Sequence, residues 1–427
     1  MIGRQSRKQR AKVQNPTWPV APPSVVPSSE PPSPPAHPPI KVLHVITRFI
    51  DGAGGNTLVS VLGIDRKRFE PWIAGSPVGQ LWLQAERAGI RTVKLARFRE
   101  VISPVDDLLV LLDLVRLIRR ERFTVVHTHS SKAGFLGRSA AWLCRTPVVV
   151  HTIHGFSFHD FMSRRRRWAY ITLERLVRPA TDHFIAVAPQ VAREAIELRL
   201  APPGAISVIP SAVELDKIPN DGDPTFRHEL EIPSDVPLVG TVGRLDLQKA
   251  PLDFVRMAAL VADSHPRARF IMVGEGALLQ EAQAEARRRG VEVTFTGRRD
   301  DAATIAASFD VYVLSSLFEG LGRALTEALA SGRPVAVTAV NGVVDIVEPG
   351  ATGLLSAPGD PAALAANVSW LLDHPEDARR MGELGRSRVR ALFKPDLMCR
   401  LIEVTYETLL GQPPRATARS INRSPGS

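Results

Sequence analysis

Short apolar runs alternate with longer amphipathic stretches from about residue 40 to residue 410. Residues 40–46, Ile-Lys-Val-Leu-His-Val-Ile, read as a buried first strand, because a β-branched run of this length is too short for a core helix. A loop over 51–56 leads into a helical stretch at 57–63. Strands at 71–74, 92–95, 125–128, 148–152, 183–187 and 206–209 then interleave with helices at 79–88, 106–121, 133–143 and 165–177. A second series opens with the strand 238–243. It continues through helix 252–263, strand 269–273, helix 278–290, strand 293–296, helix 302–308, strand 311–314, a helix carrying Glu327, strand 335–337 and helix 362–373. Helices at 375–393 and 396–410 have no strand after them. Apolar strands separated by helices predict parallel sheets covered on both faces. The expected fold class is α/β, with two doubly wound Rossmann-like domains facing each other across a cleft, where strand C-termini present their loops.

The pattern also predicts boundaries. Residues 1–39 are rich in Pro, Ser and basic side chains, cannot bury enough apolar surface to offset their ordering entropy, and are expected to be disordered. The first domain is expected over 40–212, a linker with one short helix over 213–236, the second domain over 237–395, a C-terminal helix over 396–411 and a disordered tail over 412–427.

Composition narrows the function classes. Fifty-four Lys and Arg against 44 Asp and Glu give a net charge of +10, much of it in the N-terminal tail and in the run Arg164 to Arg167. Neither cluster is interleaved with aromatics as a single-strand platform would be, so no nucleic-acid partner is expected. The Arg164–Arg167 run heads a helix. It reads either as a solvated cap on a helix packed through Ala169, Leu173, Leu176 and Val177, or as a contact for an anionic membrane surface. Cys144 and Cys399 are far apart, which offers neither a disulfide framework nor a cysteine metal cluster. The apolar run 108–118 is too short to span a bilayer and is broken by Asp113 and Arg116, and the first forty residues lack the apolar stretch of a secretory signal. The expected location is the cytoplasm, peripheral on the inner face of the cytoplasmic membrane if the arginine run binds there.

Candidate chemistry concentrates in residues 315–354. Glu319 lies in a glycine-containing loop after an apolar strand, Glu327 stands eight positions on inside a helix, and Ser331-Gly332-Arg333-Pro334 stops that helix before the next strand. Gly320, Leu321 and Gly322 let backbone approach a ligand, and a helix start offers unpaired N–H groups and a positive dipole end. A diphosphate suits that place, and a carboxylate one or two turns along suits the paired hydroxyls of a ribose. Gly243 and Arg244 end the first strand of the second series, with Lys249 just before the following helix, so two cations are expected to meet an anion there without a metal. Gly274-Glu275-Gly276 lacks the third glycine of a dinucleotide fingerprint and reads as a tight turn, beside a nucleotide or simply structural. His127, His129, His151, His154 and His159 cluster in sequence, with no cysteine and no compact metal-ligand spacing to support a zinc site. One or two are expected to line the cleft, His154 foremost, while the others pack.

Together these segments resemble the family 4 retaining glycosyltransferases of the GT-B fold, over about residues 40–410, and fall in that family's order. The resemblance implies a nucleotide-diphosphate sugar as donor, no cofactor and no metal, Arg244 and Lys249 on the diphosphate and Glu327 on the ribose. It further implies Glu319 on the transferred sugar with the amides of Gly320 to Gly322, His154 reaching in from the first domain, and the Gly54-Gly55 loop closing over the phosphates. Asn56-Thr57 follows that glycine pair where relatives often carry Ala-Glu. His129 to Gly134 with His151 to Gly155 resembles the subgroup that builds capsular or exopolysaccharide units on a polyprenyl-diphosphate lipid, which implies a lipid-linked saccharide acceptor. Two other outcomes fit the same fold, a nucleotide-sugar epimerase and a non-catalytic nucleotide-sugar-binding protein.

Overall fold

A computed structural model describes residues 16–18, 38–50, 52–159, 161–219 and 224–411. In the first lobe the elements run β1 (Ile40–Ile46), α1 (Ala53–Gly63), β2 (Phe69–Gly75), α2 (Leu81–Arg87), β3 (Arg91–Lys94), α3 (Pro104–Glu121), β4 (Val125–His129) and α4 (Ser131–Cys144). They continue with β5 (Val148–Ile153), α5 (Arg164–Val177), β6 (His183–Ala186), α6 (Pro189–Glu197) and β7 (Ile206–Val208). A short helix, α7 (Pro224–Glu229), stands in the connection. The second lobe runs β8 (Leu238–Val242), α8 (Pro251–Ser264), β9 (Arg269–Val273), α9 (Leu279–Arg289), β10 (Val293–Gly297), α10 (Ala302–Ala306) and β11 (Val311–Leu314). It ends with α11 (Arg323–Ala330), β12 (Val335–Thr338), α12 (Val343–Ile346), β13 (Leu354–Ser356), α13 (Pro361–Asp373), α14 (Pro375–Leu392) and α15 (Pro395–Leu410).

Every strand pairing is parallel, and the two sheets have strand orders β3-β2-β1-β4-β5-β6-β7 and β10-β9-β8-β11-β12-β13. Each order reverses once, between β1 and β4 and between β8 and β11. At such a reversal the loops at the strand C-termini diverge and leave a crevice. All five residues of β4 and all four of β11 are buried, as strands covered on both faces require. The two lobes also share packing: one apolar cluster joins Phe184, Val191 and Ala192 of the first to Leu314, Leu321, Val343 and Phe393 of the second.

Four sequence expectations change. Gly54, Gly55 and Asn56 belong to the first turns of α1 rather than to a loop, while Asp51 lies outside the described residues. The glycines there serve close packing: a Cβ on Gly54 would stand 3.1 Å from the Phe49 carbonyl carbon. Helices α6 and α12 and strand β13 were not separately expected, being short and without strong caps. Most of the expected N-terminal disorder, and the tail 412–427, lies outside the described residues. Within the described part, however, Trp18 packs edge-on to Phe393 at 5.5 Å and donates its indole N–H to the Asp345 carbonyl at 3.1 Å. Finally, α5 buries Ile171 and Val177, and leaves Ala169, Leu173 and Leu176 exposed. The fully buried Arg138 pairs with Glu174 at 2.5 Å, midway between Ile171 and Val177, and this need for a counter-charge selects the face turned inward.

Helix α15 crosses back from the second lobe and buries Met398, Cys399, Ile402 and Tyr406 against Val42, Ile64 and Phe69. It therefore belongs energetically to the first lobe. Ile402→Ala should cost about 2–4 kcal/mol of that lobe's stability through the cavity it leaves. Hydrogen exchange checks this: amides of β1 and β2 should exchange faster, and those of β8 and β9 at the parent rate.

Candidate active site

The second lobe's reversal point gathers the expected cations and carboxylates. Gly243 follows β8 and bonds through its N–H to Val273 O at 2.9 Å. Gly274 has φ +138°, and a Cβ there would meet the Gly243 carbonyl oxygen at 1.9 Å; one on Gly276 would meet the Leu245 oxygen at 2.4 Å. These glycines thus let the loops after β8 and β9 lie backbone to backbone, the tight-turn role foreseen for them. Lys249 reaches out of the β8 loop and places Nζ 2.5 Å from Glu319 Oε1. Glu319 also accepts from Ser316 Oγ at 2.7 Å and from Gln248 Nε2 at 3.3 Å. Its side chain is 6% exposed, so the charge is buried and needs these donors. Arg244 is more open, held by Asp246 at 3.1 Å and by Gln248 Oε1 at 3.1 Å.

Helix α11 starts after Gly322, whose φ of +85° only glycine adopts without strain, and no side chain caps its first turn. Its leading N–H groups and positive end therefore face the same crevice as Lys249. Glu327 lies one turn along and pairs with Arg323 at 2.9 Å. Desolvation, and then the charges of Glu319 and Glu327, push the phenol of the fully buried Tyr312 upward, which locates both acids around one β11 side chain. Leu321 is buried and packs into the shared core.

The first lobe's reversal point is neutral by contrast. Thr47, after β1, and Ser130, after β4, join hydroxyls at 2.9 Å across it. Behind them His154 Nε2 lies 3.1 Å from His129 Nδ1, and His129 Nε2 lies 3.0 Å from His44 Nδ1. His127 bonds Tyr406 OH at 2.6 Å and Thr152 Oγ1 at 2.7 Å, and His151 bonds Thr128 Oγ1 at 2.8 Å. Burial lowers all five rings, to about 3 for His44 and about 4 for His154, so near pH 7 they are uncharged. One nitrogen from each of His44, His127 and His129 lies within 4.8 Å of the other two, but both nitrogens of His127 and of His129 are engaged by hydroxyls and neighbouring rings, and His129 stacks on both partners.

The two reversal points meet at a glycine seam. Gly320 presses on the His154-Gly155 turn, where a Cβ would stand 1.7 Å from the His154 carbonyl oxygen, and Gly342 presses on Gly320, at 2.0 Å from its oxygen. Gly55 of α1 faces the Arg323 guanidinium, whose nitrogen would be 2.0 Å from a Cβ, and His159 stacks on Phe318 with centroids 4.2 Å apart. The structure thus brings Lys249, Glu319, Gly320 and His154 together, holds Glu327 and Gly55 against Arg323, and keeps Arg244 at the mouth. Sequence reasoning missed Gln248, Ser316, Phe318, Arg323 and His44. Gln248 and Ser316 adjoin named residues, and Arg323 stands four residues before Glu327; its approach to Gly55, and the role of His44, carry no local signal, since those partners are distant in sequence. Gly320→Ala should hold the lobes apart, with a radius of gyration by small-angle scattering above that of the parent. Gly204→Ala, where the added Cβ meets nothing within 4 Å, should match the parent.

Comparison with known proteins speaks to the family and the fold. The family model Glycosyltransferase Family 4 matches residues 63–217, and Glycosyl transferases group 1 matches residues 223–388. A UDP-Gal:alpha-D-GlcNAc-diphosphoundecaprenol alpha-1,3-galactosyltransferase of Escherichia coli is 34% identical over 249 residues, 56% of this chain and 64% of that protein, just under two thirds of its length. The capsular polysaccharide biosynthesis glycosyltransferase CapM of Staphylococcus aureus is 22% identical over 72% of this chain and 83% of its own. Among solved structures, Anabaena HepE in complex with UDP and glucose superposes with a TM-score of 0.74 at 18% identity, covering 86% of this chain and 100% of that one, which speaks to the fold. Two parallel-sheet lobes, with a family model matched to each in order, place the chain among the family 4 glycosyltransferases of the GT-B fold.

Proposed function

We propose that the chain moves a hexose-type sugar from a nucleotide-diphosphate sugar to a lipid-linked saccharide, with retention of anomeric configuration. The observation that carries this reading is the buried Glu319, clamped by Lys249, Gln248 and Ser316 where the two lobes close. The diphosphate lies against the start of α11, with Lys249 and Arg244 supplying positive charge in place of a metal. Glu327 takes the ribose hydroxyls and Glu319 the transferred sugar, with the amides of Gly320 to Gly322 beside it. His154 contributes a neutral group from the first lobe, and Gly55 lets Arg323 and α1 close over the phosphates. As the bond from the anomeric carbon to the diphosphate oxygen breaks, that oxygen takes the acceptor hydroxyl's proton on the same face, and the acceptor oxygen bonds to the anomeric carbon. No side-chain nucleophile takes part. Catalysis is then the stabilisation of the departing diphosphate by charges fixed before the reaction begins.

The E. coli relative is named for a diphosphoundecaprenol-linked acceptor, and the surface of α5 supports a similar one here. Arg164, Arg165 and Arg166 are exposed beside Trp168 at 67% and Leu176 at 69% exposure. Basic and apolar side chains on one exposed helix suit an anionic bilayer surface. Among the described residues no helix is long and apolar enough to cross a membrane, so contact at the cytoplasmic face would be peripheral.

Purified protein, a panel of labelled nucleotide sugars and a lipid extract test the reaction: label should pass to the lipid phase, and EDTA should leave the rate unchanged. Label retained on the nucleotide, with or without lipid, rejects the transfer. Glu327→Ala should weaken nucleotide-sugar binding by calorimetry about tenfold or more, the loss of a buried charged hydrogen bond, whereas Glu319→Ala should bind and turn over poorly. Anionic vesicles should sediment the parent and release the variant with Arg164–Arg167→Ser; equal sedimentation would refute the membrane contact.

A further inference from the structure

The line of imidazoles His44, His129 and His154 runs from the core of the first lobe to the seam, and its inner end is unpartnered. His44 is fully buried and its Nε2 has no hydrogen-bond partner. Its Nδ1 meets His129 Nε2 at 3.0 Å, and His129 Nδ1 meets His154 Nε2 at 3.1 Å. His154 Nδ1 has no hydrogen-bond partner among the described residues and, unlike His44 Nε2, is not sealed from solvent.

Three neutral rings carry one N–H each, so two bonds in series leave two arrangements. In one, His44 Nε2 bears the proton, every bond points inward, and the buried N–H at the inner end is orphaned. In the other, His44 Nε2 is a bare lone pair, His44 donates from Nδ1 to His129 Nε2, and His129 donates from Nδ1 to His154 Nε2. A buried orphan N–H is the rarer defect in folded proteins, so the second arrangement is favoured. It leaves the proton of His154 on Nδ1. The neighbouring His127 cannot relieve the chain, because both of its nitrogens are engaged by Tyr406 and Thr152.

We propose that His44 and His129 are positioning residues that fix the tautomer of His154, so that its Nδ1 offers a hydrogen-bond donor to an acceptor oxygen of the bound nucleotide sugar. This rests on the reading of His154 as a cleft residue given above; the tautomer itself does not depend on turnover, so the two can fail separately. In such a chain the outer ring's role is set by the bond its other nitrogen makes. The unpartnered nitrogen in the core, remote from any ligand, is what sets the direction.

Nitrogen NMR of 15N-histidine-labelled protein near pH 7.5, with His154 assigned from His154→Gln, reads this directly. The parent should show a protonated Nδ1 and a bare Nε2 for His154, and a bare Nε2 for His44. A protonated Nε2 on His154 overturns the proposal whatever the enzyme does. In the transfer assay, His44→Phe should lower kcat about tenfold, the worth of one hydrogen bond that is no longer aligned, with KM for the nucleotide sugar changed less than about twofold. It should also scramble the His154 tautomer. His44→Asn, whose amide N–H stands where Nδ1–H stood, should restore both the tautomer and most of the rate. Equal behaviour of the Phe and Asn variants would show that His44 only fills space.

Discussion

A carboxylate buried between two lobes is a liability unless cations and donors reach it, and the architecture around the seam follows from that demand. Glu319 is held by an ammonium, an amide and a hydroxyl, at 2.5, 3.3 and 2.7 Å. Removing one partner from such a site leaves a charge out of water with nothing to replace the loss, whereas the intact set is fixed in place. Lys249 and Gln248 come from the loop after β8, and Ser316 from the loop after β11, so the two strands flanking the reversal point must stand side by side. On the other side of the β8 loop, Gly274 and Gly276 let the loop after β9 lie directly against it, and Gly243 leaves room for the Lys249 side chain.

The lobes divide the electrostatic work. Charges gather in the second lobe, where Lys249, Arg244, Arg323, Glu319 and Glu327 surround the start of α11. The first lobe contributes hydroxyls and imidazoles that burial keeps neutral. A closing cleft raises the strength of every interaction inside it, as the local dielectric falls. Placing fixed charges on one wall and neutral donors on the other avoids repulsion as the walls meet. The seam contacts are accordingly backbone and aromatic: Gly155 on Gly320, and His159 on Phe318.

The sequence made the sheet order and the second-lobe site largely legible, because both depend on local signals. β-branched runs mark strands, and the Glu319–Glu327 frame sits between a strand and a Gly-Pro stop. It misled where a residue's role depends on a distant partner. The glycine pair at 54–55 reads as a loop but lies in a helix, where the closeness of Phe49 and Arg323 leaves no room for a side chain. Helix α5 offered two faces of similar apolar content, and Arg138, 36 residues before Glu174, decided between them. His44 looked like one more strand residue until β1 and β4 paired in the register that sets His44 opposite His127.

The same dependence on distant partners ties the site to the connection between lobes. Arg193 of α6 pairs with Asp345 of α12 at 2.8 Å, and Asp345 also accepts the Gln190 N–H. Trp18 caps this junction through the Asp345 carbonyl and the face of Phe393, while Val213 bonds the Phe393 carbonyl at 2.9 Å. Polar fastenings of this kind fix direction more than they add stability, since each is partly solvated. The apolar cluster shared between the lobes supplies the stability, and it includes Leu321, the residue after the seam glycine Gly320 in the Glu319 loop. The charged site is assembled within the second lobe, and the loop that carries Glu319 is anchored through Leu321 in the packing that joins it to the first.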